Sequence, residues 1–515
     1  MGLMTHARSR TLRTLGAHWG LVAGLLITAG AGIATLRQPE FGDGQAYMIP
    51  NALHMMRTFD PFIEDEVHPP FFFLLEGIAF RLFGPHVETA HALSVVFSMV
   101  MVAAVYGLGA GLAGSSAGSM AALLVAAWPP FLVQTTLVRL DIPVAALSIL
   151  TLLAAHRGWP AIYLLAGALA PLTKAPGILA PAVLSAMGTL GLWRPRFRQV
   201  FLWVPVIVYA AWLVACKVRF GWFLYPENVE DFSLLHNVRA GLDGWVYWVR
   251  RLVVDQWAWV PFSAAVLLGV RRGWRMAIPL AVCALCVVGA AAMPRMGAAD
   301  GAAVGLFVVV AALCWARGGF WRIVPLLALA LTLLFCTYHY RFPRYMLPAW
   351  PGLAICSAAA LVRRRAGWPI VAVSAGLMIS AAFSAEVWKM DKWSVHESTL
   401  GYRGTIRAHK AAIDYLRAAA GDLPIVAAGK AAEALSVPAL GYVHAPLRVV
   451  GLTEGCDILR QSAYYLEIST RDRVLEKRVW PMLRSCGVRA NRIMAEQWDG
   501  PYGEGTTGVY RLGLR

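Results

Sequence analysis

From residue 18 to residue 385 the chain alternates long apolar runs with short polar breaks, many of them bearing Arg. The first run, about 18–36, follows Arg8, Arg10 and Arg13. It exceeds the roughly 7–15 apolar residues of a signal-peptide core and many more runs follow, so it predicts an uncleaved first membrane span. Further runs occupy about 88–112, 117–137, 142–155, 160–172, 176–192, 200–216, 256–270, 276–293, 301–316, 321–338, 345–362 and 368–385. With the first, they predict about thirteen crossings. Several fall short of the ~20 residues of a straight span and must tilt, thin the bilayer or pack inside the bundle.

Run 69–83 decides the orientation. With the N-terminus cytoplasmic and 69–83 lying flat in the interface, the basic breaks 193–198, 271–275, 317–322 and 363–365 all fall inside, as positive loops do. If 69–83 spanned, all four would move outside. Glu76 and Arg81 within it also suit an interfacial helix. The exoplasmic segments are then 37–68, the turns at 139–141 and 173–175, 217–255, 294–300, 338–344 and everything after about 384. The first is acidic, with Glu40, Asp43, Asp60, Glu64, Asp65 and Glu66 against Arg37 and Arg57.

After 385 the pattern turns soluble. Short β-like runs at 424–428, 447–450, 464–468 and 508–512 alternate with helical stretches such as 409–420, which predicts a small α/β domain. Two domains result: a membrane domain over 1–385, including an exoplasmic loop with juxtamembrane helices at 37–87, and a soluble exoplasmic α/β domain over 386–515. No internal repeat is visible. No phosphate-binding or dinucleotide Gly-rich motif follows a predicted strand, which argues against a cytosolic nucleotide-driven pump.

Composition agrees. Of 515 residues 58% are apolar and 15% charged, against about 25% charged in soluble proteins. The net charge of +17 is spread over short Arg clusters between spans; a nucleic-acid partner would gather it on one soluble face. Of eight Cys, six lie in apolar runs, and Cys283 with Cys286 is an i,i+3 pair within a helix. Cys456 and Cys486 lie in the soluble domain and can pair if it faces an oxidising compartment.

Ionisable residues at membrane depth are functional candidates, and here they converge on one face. Each also has a plain structural explanation. Asp43, in Gly42-Asp43-Gly44-Gln45-Ala46-Tyr47, is either a turn residue or a carboxylate that accepts a substrate proton. Asp141, in Arg139-Leu140-Asp141-Ile142-Pro143, is a good helix start and can also face a site. His68, before Pro69-Pro70, is an interfacial residue or a donor to phosphate. Lys174, between Pro171 and Pro176, is a snorkelling cation or part of a pocket where broken helices expose their backbone. An aromatic belt explains the rings around 338–345 but not Arg341 and Arg344, which suit phosphate.

In this order, the acidic motif after the first span, His-Pro-Pro, Arg-x-Asp-x-Pro, the Lys between short spans and Arg-x-x-Arg-Tyr resemble the GT-C superfamily of polyprenyl-phosphate-sugar glycosyltransferases. The aminoarabinose lipid A transferases, protein O-mannosyltransferases and rhizobial lipopolysaccharide galacturonosyl transferases are the groups it is most similar to. The resemblance covers about 20–350. It implies a polytopic α-helical GT-C fold in a bacterial inner membrane with a periplasmic soluble domain. It further implies sugar transfer from a polyprenyl-phosphate donor to a lipid, glycan or protein acceptor by inverting displacement. Asp43 and Asp141 would be the catalytic carboxylates. His68, Lys174, Arg341, Arg344, Arg139 and Tyr47 would bind substrate and donor phosphate. Gly44 stands where the family usually has a second acid, while Tyr47 keeps its place. Nothing in the residues demands a metal, although two carboxylates can attract Mg²⁺ or Mn²⁺. The rival readings are a transporter or lipid flippase, which predicts pseudo-symmetric halves, a polysaccharide ligase with its site in one late loop, and a non-catalytic assembly protein.

Overall fold

The computed structural model describes residues 2–63, 66–226, 238–253, 257–269, 298–336, 342–383, 399–451, 455–469, 479–500 and 503–514. Helix α1 (Gly2–Thr35) leads to a π-helical turn at Gly44–Met48 and then to α2 (Ile49–Thr58) and α3 (Phe71–Phe83). The bundle continues as α4 (Val87–Ala113), α5 (Ser115–Ala127), α6 (Pro129–Gln134), α7 (Asp141–Arg157), α8 (Pro160–Thr173), α9 (Leu179–Thr189) and α10 (Val200–Phe220). It ends with α11 (Val238–Val253), α12 (Trp259–Gly269), α13 (Ala298–Arg317), α14 (Ile323–Leu334), α15 (Trp350–Leu361) and α16 (Gly367–Phe383).

The chain is a polytopic α-helical membrane protein, but its spans differ from the thirteen expected. Among the described residues four helices, His18–Thr35, Val87–Ala113, Val200–Phe220 and Asp300–Arg317, are long and apolar enough to cross. Six further apolar helices have only 10–17 residues. Proline accounts for much of the shortening. Trp128 is extended (φ −64°, ψ 125°) before Pro129, as a residue preceding proline tends to be, so the run 117–137 divides into α5 and α6. Pro171 lies inside α8, which stops two residues later at Thr173. The expected run 276–293 and the Cys283–Cys286 pair lie outside the described residues. Large apolar side chains stand exposed on the long helices, among them Leu26, Ile33, Val96, Ile207, Val214 and Val218. A lipid solvent makes such a band favourable.

The bundle has two distinct ends. At one, α7 finishes with Arg157, and a Cβ on Gly158 would touch Arg196. His156 packs on Phe320, Tyr106 bonds His18, and Trp19 lies against Trp368. The basic breaks 193–198, 317–322 and 363–365 therefore gather beside the N-terminal helix. At the other end α7 begins with Asp141, and the C-terminal domain sits there.

That domain contains α17 (Tyr402–Ala420), β1 (Ile425–Val426), α18 (Lys430–Ser436), β2 (Val449–Val450), α19 (Cys456–Gln461), β3 (Tyr464–Ser469), α20 (Trp480–Ser485), β4 (Val488–Gly500) and β5 (Gly503–Leu514). The sheet order is β2-β1-β3-β5-β4. β1 is parallel to β2 and β3, while β5 is antiparallel to β3 and β4. Cys456 and Cys486 form a disulfide. One apolar core joins this domain to the first loop: Ile49, Phe72 and Phe80 share it with Leu140 and with Tyr402, Leu440 and Tyr464. The Glu40 N–H donates to the Leu440 carbonyl at 2.9 Å, and the Tyr402 hydroxyl bonds Thr136 Oγ1 at 2.6 Å. The loop carrying Asp43 is thus clamped between bundle and soluble domain.

Candidate active site

Four helix interruptions supply the charged cluster. Asp43 precedes the π-turn, with Gly42 at φ +72° before it. A Cβ on Gly42 would press on the Arg139 guanidinium, and one on Gly44 would fall onto the Glu40 carboxyl. Positive φ favours glycine at 42, crowding favours it at 44, and Glu40 occupies the room that a second acid at 44 would need. Asp141 is the first residue of α7. Lys174 is extended (φ −156°, ψ 134°) between α8 and a 3-10 turn at Ala175–Ile178. Arg344 lies in the 3-10 turn Pro343–Met346.

These side chains meet. Arg139 Nη1 donates to Asp43 Oδ2 at 2.5 Å, and Arg344 Nη2 donates to the same oxygen at 2.8 Å. Arg344 Nε lies 3.1 Å from Asp141 Oδ2. Lys174 Nζ donates to Asp141 Oδ1 at 2.6 Å. One guanidinium therefore joins both carboxylates, and three cations face two acids. Arg139, Arg344 and Asp141 are buried, at 5%, 4% and 5% exposure. The Tyr345 ring supports the cations, with Lys174 Nζ 4.6 Å and Arg344 Cζ 5.5 Å from its centroid.

Burial pushes the Asp43 carboxyl up, but Arg139, Arg344 and a hydrogen bond from Tyr47 outweigh it and hold it well below the usual carboxylate range. Burial and the Asp43 charge push the Tyr47 phenol up, so it stays a neutral donor. His68 lies within electrostatic reach of Lys174, Asp141, Asp43 and Arg344. Burial first, then the Lys174 charge, pull it down to about 3, so its ring is neutral at pH 7. Beside it Glu66 accepts from the His68 backbone N–H at 2.9 Å and from Asn51. Burial nevertheless raises Glu66 to about 7.

His68 and Glu66 also line a pocket walled by Tyr209, Trp212, Trp222 and Phe223. Phe62 stacks on Trp212 at 5.2 Å and Phe220 on Trp222 at 5.0 Å. The aromatic hollow opens from the charged cluster towards the end of α10.

Of the residues singled out from the sequence, Asp43, Tyr47, His68, Arg139, Asp141, Lys174 and Arg344 converge here; Arg341 lies outside the described residues. Two features escaped the sequence. One is a buried set beneath the loop, where His91 Nε2 lies 3.0 Å from Glu40 Oε2 and Glu76 is wholly buried. The other is Lys430 of the soluble domain, whose charge acts on Asp43. The fit to a divalent cation is poor. Guanidinium and ammonium groups already neutralise both carboxylates, and among the described residues no three His, Cys, Asp or Glu form a group that could hold a metal.

The sequence profile of the family described as dolichyl-phosphate-mannose-protein mannosyltransferase matches residues 67–219, a stretch holding His68, Arg139, Asp141 and Lys174. No curated protein matches the chain. Among solved structures, ArnT from Cupriavidus metallidurans in the apo state superposes with a TM-score of 0.55 at 15% identity, over 95% of this chain and 97% of that one. The same protein bound to undecaprenyl phosphate gives 0.52 at 16% identity, with the same coverage. At these identities the likeness establishes the fold alone, which this chain shares with ArnT.

Proposed function

We propose that this chain is a membrane glycosyltransferase that moves a sugar from a polyprenyl-phosphate donor to a lipid or glycan acceptor at the exoplasmic face, by inverting displacement. The observation that carries the reading is the Arg344 guanidinium bridging Asp43 and Asp141, with Lys174 and Arg139 completing the cluster. A transporter would spread its charges along a path near mid-membrane; here they meet at one end of the bundle, under a soluble domain. The family profile over 67–219 and the ArnT-like fold support the same reading.

In the proposed reaction the acceptor hydroxyl oxygen attacks the anomeric carbon and the carbon–oxygen bond to phosphate breaks. The hydroxyl proton passes to Asp43, and the polyprenyl phosphate leaves with one more negative charge. Lys174 and Arg344 stabilise that charge in a site largely closed to water. Asp141 orients both cations, Tyr47 orients Asp43, and neutral His68 can donate to a phosphate oxygen. The aromatic pocket beside His68 takes the donor's apolar portion. The soluble domain faces the periplasm and the N-terminus the cytoplasm, consistent with the basic breaks gathering at the far end of the bundle.

The test is transfer by the purified protein in detergent, with donor lipid and acceptor glycolipid extracted from cells lacking it. Asp43→Asn is expected to fold and bind donor but to lose transfer by at least about a hundredfold. Asp43→Asn turnover at the wild-type rate would remove Asp43 from the mechanism.

A further inference from the structure

Lys430 opens α18 in the soluble domain, yet it is tied to the loop that holds Asp43. Gln45 Nε2 donates to the Lys430 carbonyl oxygen at 2.6 Å, across 385 residues of sequence. This bond fixes the start of α18 against the π-turn two residues after Asp43. Lys430 is exposed as a residue, yet partial burial of its ammonium pulls its pKa below the usual lysine range. Its charge acts on Asp43, Arg139, Glu433 and His409. Lys174, by contrast, is held against Asp141 and Tyr345.

Among the described residues the three bundle cations of the cluster are engaged. Arg139 holds Asp43, Lys174 holds Asp141, and Arg344 holds both. Among the described residues the Lys430 ammonium forms no ion pair. It adds positive charge to a cluster whose described cations already outnumber its acids. Inverting displacement also fixes the approach. The nucleophile must enter opposite the leaving phosphate, and Lys174 with Arg344 claims the phosphate side. The acceptor therefore enters away from Lys174, and the Gln45–Lys430 bond sets the start of α18 beside the turn that carries Asp43.

Building on the glycosyltransferase reading, we propose that Lys430 reads an oxyanion, phosphate or carboxylate, beside the acceptor hydroxyl and makes an anionic acceptor the preferred substrate. It is a specificity-determining residue contributed by the soluble domain, distinct from the groups that bind the leaving phosphate.

The experiment uses full-length protein, extracted donor lipid, and acceptor glycolipid from cells lacking this chain in three forms: untreated, phosphatase-treated, and carboxyl-amidated. Initial rates are measured against acceptor and donor concentration for wild type, Lys430→Ala and Lys430→Arg. Loss of one charge-assisted contact predicts an acceptor KM raised about tenfold or more in Lys430→Ala, with donor KM unchanged. Lys430→Arg is expected to stay within about threefold of wild type. One acceptor treatment should raise the wild-type KM similarly and erase the difference from Lys430→Ala; which one does so identifies phosphate or carboxylate. An acceptor KM within about twofold of wild type in Lys430→Ala overturns the proposal, as does wild-type use of both treated acceptors at the untreated rate. Wild-type protein that transfers no sugar from untreated lipids sinks the parent reading, and this one with it.

Discussion

Replacing Arg344 is the sharpest perturbation of the cluster, because one side chain holds two acids. Its Nη2 lies 2.8 Å from Asp43 Oδ2 and its Nε 3.1 Å from Asp141 Oδ2, with the side chain 4% exposed. Breaking a buried ion pair costs about 3–5 kcal/mol when the remaining charge is left alone. Here Asp43 keeps Arg139 and Asp141 keeps Lys174, so Arg344→Ala should cost only ~1–3 kcal/mol of stability. The effect on rate should be larger. Losing one preorganised donor to a developing charge costs about 10²–10³ in kcat. Arg344→Lys separates the two effects. Its ammonium restores the net charge but offers a single nitrogen, which cannot reproduce both arms of the fork. It should regain most of the melting temperature and little of the rate. The assay is release of polyprenyl phosphate, followed by mass spectrometry at saturating donor, beside thermal unfolding in the same detergent. A folded Arg344→Ala protein with kcat within about threefold of wild type would refute the phosphate role.

Two further outcomes follow from groups outside the spans. Burial raises Glu66 from 4.5 to about 7, so between those values the folded state keeps a proton that the unfolded chain has released. Stability should therefore fall as pH rises through that window, by about 1.4 kcal/mol per pH unit at most; melting curves at pH 5 and 8 should show the drop in wild type and lose it in Glu66→Gln. The Cys456–Cys486 bridge closes a loop of 30 residues, for which chain entropy gives ~3–4 kcal/mol. Reductant should lower the melting temperature of the soluble domain, and alkylation of cells should find both thiols blocked; free thiols in growing cells would place that domain in the cytoplasm.

What the sequence shows clearly is what local pattern determines. The apolar run at 88–112 is helix Val87–Ala113, because no proline interrupts it and its one carboxylate, Glu88, lies in the first turn. The run at 464–468 is β3, its side chains packed on both faces of the sheet. β4 (Val488–Gly500) went unseen because its residues alternate poorly; the long antiparallel pairing with β5 makes it a strand. The site was legible to the extent that its cations violated an orientation rule. Arg344 stands on the exoplasmic side against that rule and Lys174 between helices broken by proline, and the structure supplies an acidic partner for each. Glu40 was readable only as one acid among six in the first loop, whereas it is wholly buried beside His91. Lys430 was illegible because its place depends on a contact spanning 385 positions, and no local pattern encodes that.

A carboxylate held well below its usual range is a poor base, and in the free protein Asp43 is just that. The conflict disappears once charge is followed through the proposed reaction. An arriving donor phosphate competes with Asp43 for the Arg344 guanidinium. Donor binding thus weakens the interactions that depress the carboxyl and raises its affinity for a proton when an acceptor arrives. As bond formation proceeds, Asp43 loses its charge and the leaving phosphate gains one. The positive groups need only transfer their attention over the length of a side chain, and the net charge of the site stays constant. Without donor the acid remains locked by two guanidiniums, and a water molecule entering the site meets no competent base. In the proposed reaction, the pairing that makes Asp43 look inert thus couples its reactivity to donor binding.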